Sequence, residues 1–169
     1  MNFEGKVALI TGGTAGIGKA TVRRVASLGA RTVLVGRDEN DGRRIESEIL
    51  GEGAEAVFLR ADLSRPDEVR RIVSATVNIY GRLDYAFNNA GISGQDGLIA
   101  DQTEANFDEV FSVNIKGLFI LHVLQRRLRG GEYTADVDVD HAIHLLQRRL
   151  LERFRNRRAG IVHKHIKSA

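Results

Sequence analysis

Residues 6–18 read Lys-Val-Ala-Leu-Ile-Thr-Gly-Gly-Thr-Ala-Gly-Ile-Gly, and this stretch decides the fold. Val7-Ala8-Leu9-Ile10 is an unbroken apolar run, the pattern of a strand buried on both faces of a parallel sheet. A glycine-rich turn ends it. Apolar residues then recur at helical spacing from Lys19 to Ala26, so a helix begins near residue 16. Strand, glycine turn and helix start together make an anion site. A helix N-terminus offers unpaired N–H groups and partial positive charge, and glycines let a pyrophosphate approach the backbone closely.

The spacing Gly-x-x-x-Gly-x-Gly at Gly12, Gly16 and Gly18 differs from the Gly-x-Gly-x-x-Gly dinucleotide fingerprint. Three further features follow in order: Asp62-Leu63 after a third strand, Asn88-Asn89-Ala90-Gly91 after a fourth, and Asn114 within Phe-Ser-Val-Asn-Ile-Lys-Gly. In this order and at these intervals, residues 1 to about 122 resemble the short-chain dehydrogenase/reductase family. The resemblance implies an α/β, Rossmann-like, doubly wound parallel sheet, incomplete here at about four to five strands; residues 123–169 depart from the family pattern and read as a helical basic tail that is not an independent domain. It also implies hydride transfer between a nicotinamide cofactor and an alcohol or carbonyl. The implied cofactor contacts are Gly12, Thr14, Gly16, Ile17, Gly18, Arg37, Asp62, Leu63, Asn89, Ala90 and Gly91. Asp62 would accept from the adenine amine and Leu63 N–H would meet a ring nitrogen. Asn114 would be the catalytic asparagine that holds a water in a proton relay.

Between these motifs the chain alternates strands and helices. Strands are predicted near 6–11, 31–35, 54–60 and 83–87, and helices near 16–28, 39–52 and 66–80, with a long helix from Glu104. Gly29 and Gly53 mark helix ends, and Pro66 suits a first helical turn. Ser64 and Asp67 are the expected caps of that third helix, with Asp62 an alternative. At the end of strand two, where an acid would accept from the ribose hydroxyls of NAD, the chain has Gly36 followed by Arg37. An arginine there pairs with a 2′-phosphate, so NADP(H) is favoured over NAD(H); Asp38 serving the ribose is the alternative. Family members committed to NADP often carry a basic residue where this chain has Ala15. Asn114 also has a plainer reading, a buried amide satisfied by backbone.

Chemistry in the family needs a tyrosine with a lysine four positions on. Tyr80 is followed at that distance by Asp84, Tyr85 by Asn89 and Tyr133 by Val137, so the pair is missing from these 169 residues. The expectation is a chain inactive on its own, or else a non-catalytic NADP(H)-binding sensor or partner-binding module. A small alcohol or carbonyl substrate would bind only if the active site were completed elsewhere. Family likeness also suggests a homo-oligomer through the helix 104–128.

Composition limits the remaining classes. Net charge is +3, but residues 145–169 hold eight Lys/Arg against Glu152 alone, about +7, leaving about −4 elsewhere. No aromatic interleaving or nucleic-acid module accompanies the basic run, which points to a solvated face. His122-Val-Leu-Gln-Arg-Arg-Leu nearly repeats as His144-Leu-Leu-Gln-Arg-Arg-Leu, a displacement of twenty-two residues that suggests duplication followed by truncation. Gly160-Ile161-Val162 resembles the start of the family's fifth strand. The five histidines and the alternating Asp136, Asp138 and Asp140 fit no metal motif, so no metal is expected. With no signal-peptide pattern and no spanning apolar run, the expectation is a cytoplasmic protein, and the absence of cysteine excludes disulfides, thiolate metal sites and a cysteine nucleophile.

Overall fold

All five residues of β1 (Val7–Thr11) are buried, because the strand runs through the middle of a parallel sheet with helices on both sides. The computed structural model describes residues 3–128. After β1 come α1 (Gly16–Ser27), β2 (Arg31–Gly36), α2 (Glu39–Gly51), β3 (Ala56–Arg60), α3 (Pro66–Tyr80) and β4 (Tyr85–Asn88). A short 3-10 turn (Ile99–Asp101) then leads to α4 (Glu104–Phe111), a π-helical segment (Ser112–Gly117) and α5 (Leu118–Leu128). Strand order among the described residues is β3-β2-β1-β4, all parallel. Leu9 sits between Val33 and Ala86, so side chains of alternating parity form two cores. Ala8 and Ile10 pack with Val22, Ala26, Ile45, Ile49 and Phe58. On the other face Leu9 packs with Val33, Val69, Ile72, Val113 and Leu121. The expected doubly wound α/β fold is therefore present.

Local chemistry sets the boundaries. The Asp38 carboxylate accepts from Asp41 N–H at 2.8 Å and caps α2. Pro66 opens α3, and Gly81 ends it at φ 75°. The cap of α3 differs from expectation, since its N-cap is Arg65 and no side chain caps it. Instead the Asp62 carboxylate accepts from Ser64 N–H at 2.9 Å, and Glu68 reaches back to Asp62 N–H at 2.8 Å. Those bonds shape the turn before the helix, leaving Ser64 and Asp67 no capping role.

The long helix from Glu104 is also not uniform. Its centre widens into the π-helical segment, a change that apolar spacing alone does not announce. Gly117 explains part of it: a Cβ there would collide with the Leu63 carbonyl oxygen, so the segment lies directly against the turn after β3. Helix α5 runs unbroken through residues 122 and 123. The near-repeat at 144–150, the Asp136–Asp140 run, the Arg-rich tail and the proposed fifth-strand residues 160–162 lie outside the described residues. No helix among the described residues is long and apolar enough to cross a membrane.

Candidate functional site

In an open parallel sheet, ligands bind in the crevice outside the carboxyl ends of the strands, where the chain order reverses. Here that point lies between β1 and β4, the strands whose ends carry the glycine turn and Asn88-Asn89-Ala90-Gly91. Thr11 closes the base of the crevice. Its hydroxyl oxygen accepts from both Asn89 N–H and Ala90 N–H at 3.1 Å. Asn89 answers with its side chain, donating Nδ2–H to the Thr11 and Gly12 carbonyls at 3.2 and 3.3 Å. Asn89 thus ties the two loops together, and Gly12 and Gly18 leave room for it. A Cβ on Gly12 would stand 2.8 Å from Asn89 Nδ2; one on Gly18 would stand 2.6 Å from the same atom and collide with the Gly12 carbonyl.

Above this base stands the N-terminus of α1. Ala15 provides no side-chain cap, and the first turn, with Gly16, Ile17 and Gly18, contains no acid. The first N–H groups of the helix therefore face the crevice mouth without a competing side chain, which is the chemistry a pyrophosphate needs. Gly12 at φ 65° makes the turn that brings them there.

The adenosine end is built from β2 and β3. Gly36 lies under Thr14: a Cβ on Gly36 would be 2.5 Å from Thr14 Cγ2 and 2.9 Å from its hydroxyl. No acid fits at position 36 while Thr14 stands there. Arg37 is exposed, and its carbonyl accepts from Arg60 Nε–H at 3.2 Å. Burial pushes the Asp62 carboxyl up, but bonds from Ser64 and the nearby Arg37 and Arg65 outweigh it and hold the group below its ordinary value. Asp62 therefore remains an acceptor. Leu63 is buried, at 7% exposure, with its backbone against the π-helical segment.

Asn114 lies in that segment. Its Oδ1 accepts from Ile92 N–H at 2.9 Å and its Nδ2–H donates to the Ile92 carbonyl at 2.8 Å. The amide thus clamps both backbone groups of Ile92, the residue after Gly91, and a Cβ on Gly91 would lie 3.4 Å from Asn114 Oδ1. The residues named for the cofactor lie at or just beyond the carboxyl ends of β1 to β4 or in the first turn of α1, and Asn114 reaches the loop after β4 from the π-helical segment. Sequence reasoning missed Thr11, Glu68, Arg60 and the widened helix turn. An Asn inside an apolar helix with a glycine three residues later was the available signal for the last.

The family scan matches short chain dehydrogenase over residues 6–128. The chain belongs to the short-chain dehydrogenase family. It is 38% identical over 152 residues to an uncharacterized oxidoreductase of Thermotoga maritima, covering 88% of this chain and 59% of that relative. A metagenomic short-chain oxidoreductase solved in complex with NADP superposes with a TM-score of 0.71 at 35% identity, over 74% of this chain and 57% of the other. An NAD+-bound xylitol dehydrogenase superposes equally well, TM-score 0.71 at 30% identity, over 76% of this chain and 49% of that one. The chain thus spans between about half and three-fifths of the length of these relatives. Members of the family bind either dinucleotide. No group of three or more His, Cys, Asp or Glu able to hold a metal occurs among the described residues.

Proposed function

We propose that residues 3–128 form a dinucleotide-binding domain that prefers NADP(H) to NAD(H), and that this 169-residue chain transfers hydride at or near background. The uncapped α1 N-terminus behind Gly12 and Gly18, where no Cβ fits, carries the binding half of the reading. In this reading the α1 N–H groups take the pyrophosphate. Asp62 and Leu63 N–H meet the adenine, and Asn89, Ala90 and Gly91 set the floor on which the nucleoside rests. When bound, the dinucleotide supplies the hydride acceptor or donor.

Three features favour NADP(H). Thr14 excludes an acid at Gly36, Arg37 is exposed beside the vacated position, and the Asp38 carboxylate is engaged as the cap of α2 rather than free for a ribose. Asn114 acts first as a positioning residue through Ile92, and it is placed to hold a relay water only where a tyrosine and lysine complete the relay. No Tyr-x-x-x-Lys spacing occurs in this sequence, which supports the expectation of background turnover.

Fluorescence titration with NADPH and NADH, beside a steady-state carbonyl-reduction assay, tests both halves. Saturable NADPH binding tighter than NADH, with turnover at background, is the expected result. A folded sample without saturable association overturns the binding reading, and robust NADPH-dependent turnover overturns the inactivity.

A second reading, a partner-binding module, is favoured by the exposed apolar row Phe107, Phe111, Ile115 and Phe119 along α4 to α5. Size-exclusion chromatography separates the two. A discrete oligomer that binds cofactor and is dissociated by Phe111→Lys supports it, and a monomer at all concentrations sinks it.

A further inference from the structure

Two arginines, Arg37 and Arg60, share the carboxyl corner of β2 and β3, and neither forms an ion pair with a carboxylate, although Asp62 lies close enough to feel the charge of Arg37. Gly36 and Arg60 are register partners, so Arg37 and the Arg60 side chain share that corner. Arg60 turns its Nε–H back onto the Arg37 carbonyl, a contact spanning 23 residues of sequence. Arg71 of α3 in turn donates to the Arg60 carbonyl and holds the strand end. Among the described residues, Arg23, Arg31, Arg43, Arg44, Arg65, Arg70 and Arg82 form ion pairs, whereas Arg37 and Arg60 form none. Like charges at one corner repel each other, the one nearby carboxylate, Asp62, acts on Arg37, and a doubly charged anion between the two arginines turns the repulsion into attraction.

We propose that Arg60 is a second specificity-determining residue for the cofactor 2′-phosphate, anchored through Nε–H on the Arg37 carbonyl and presenting its two Nη groups to the phosphate oxygens beside Arg37. The proposal rests on the NADP(H) reading above. An arginine suits the task because its planar fork can anchor with one N–H and donate with others from separate nitrogens; a lysine keeps the charge, but its donors share one nitrogen and cannot span the Arg37 carbonyl and the phosphate in that fork geometry. Thr14, whose hydroxyl lies over Gly36, closes the third side of the corner. Arg60 is exposed, and its side chain bonds to the Arg37 carbonyl at the adenosine end, so its replacement is expected to leave binding of the rest of the nucleotide intact.

Isothermal titration of the full 169-residue chain with adenosine 2′,5′-bisphosphate and with 5′-AMP, which differ only in the 2′-phosphate, tests this. Wild type is expected to bind the bisphosphate at least about tenfold more tightly, as charge-assisted hydrogen bonds to a phosphate give. Arg60→Leu is expected to remove about tenfold of that preference while shifting 5′-AMP affinity by less than about twofold, and Arg60→Lys to recover only part of it. Circular dichroism checks the fold, and Arg60→Gln replaces Arg60→Leu under the same criteria should the latter misfold. Equal weakening of both ligands by Arg60→Leu overturns the proposal by making the residue merely structural. Loss of the preference in Arg37→Leu but not in Arg60→Leu also overturns it and leaves the NADP(H) reading standing. No preference in wild type overturns the NADP(H) reading itself, and the role of Arg60 with it.

Discussion

β1 and β4 are neighbours in one sheet, similar in apolar content, and opposite in environment. Leu9 and Ile10 of β1 are 0% and 1% exposed, whereas Tyr85 and Phe87 of β4 are 46% and 41% exposed. The difference comes from position. β1 has a strand on each side and helices over both faces, while β4 is an edge strand among the described residues and one of its faces is open. Burial of a strand is thus granted by its neighbours, and β4, paired along its length with β1 on one side only among the described residues, is fastened further at its two ends. At the start, Asp84 accepts from Val7 N–H at 2.8 Å while its own N–H donates to the Val7 carbonyl at 3.0 Å. At the finish, the Thr11 hydroxyl takes the two N–H groups after the strand.

The largest expected effect lies in β1. Leu9→Ala is expected to lower unfolding stability by about 3 kcal/mol in urea titration, through lost burial and the cavity left between α3 and β2. A loss no larger than that of Phe87→Ala would erase the contrast. Next comes the far clamp, where Thr11→Val strands two N–H groups and is expected to cost about 2 kcal/mol, while Thr11→Ser retains most of it. The near clamp is sensitive to acid. Burial pushes the Asp84 carboxyl up, but the Val7 N–H, Arg82 and Lys6 outweigh it and hold the group below its ordinary value. A carboxylate depressed in the folded state stabilises above its unfolded pKa of about 4, and that contribution is lost as pH falls through and below that range. Asp84→Asn is expected to flatten the acid limb of a stability–pH curve, leaving the contribution of Asp62, whose carboxyl is also held below its ordinary value. The smallest effect belongs to the open face: Phe87→Ser is expected to change stability by under about 0.5 kcal/mol. Its visible effect is reduced self-association in light scattering, and a larger stability loss would show that β4 is covered after all.

Much of this was legible in the sequence because it is local. An apolar tetrad before a glycine turn, a proline at a helix start and Gly-Arg after a strand report their own surroundings. What escaped is non-local. Nothing within reach of Asn114 says that it holds a peptide 22 positions earlier, and nothing near Thr11 says that it serves backbone 78 and 79 positions later. Arg60 reads as a solvated strand-end charge until the register sets it beside Gly36. The Ser64 and Asp67 expectation failed for a related reason, since Glu68 competes for the same turn from inside the helix.

The wide turn at Ser112–Gly117 has an effect on the outside of the molecule as well. Phe107, Phe111, Ile115 and Phe119 recur every four residues, a step that overshoots a full α-helical revolution by about 40°. In a uniform α-helix the row would wind progressively around the cylinder. A π turn takes more residues per revolution, so steps taken through it fall short and return part of the drift. The phase of the solvent-facing row is therefore governed from within, by the segment in which Asn114 grips the loop after β4 and Gly117 lies against the Leu63 carbonyl.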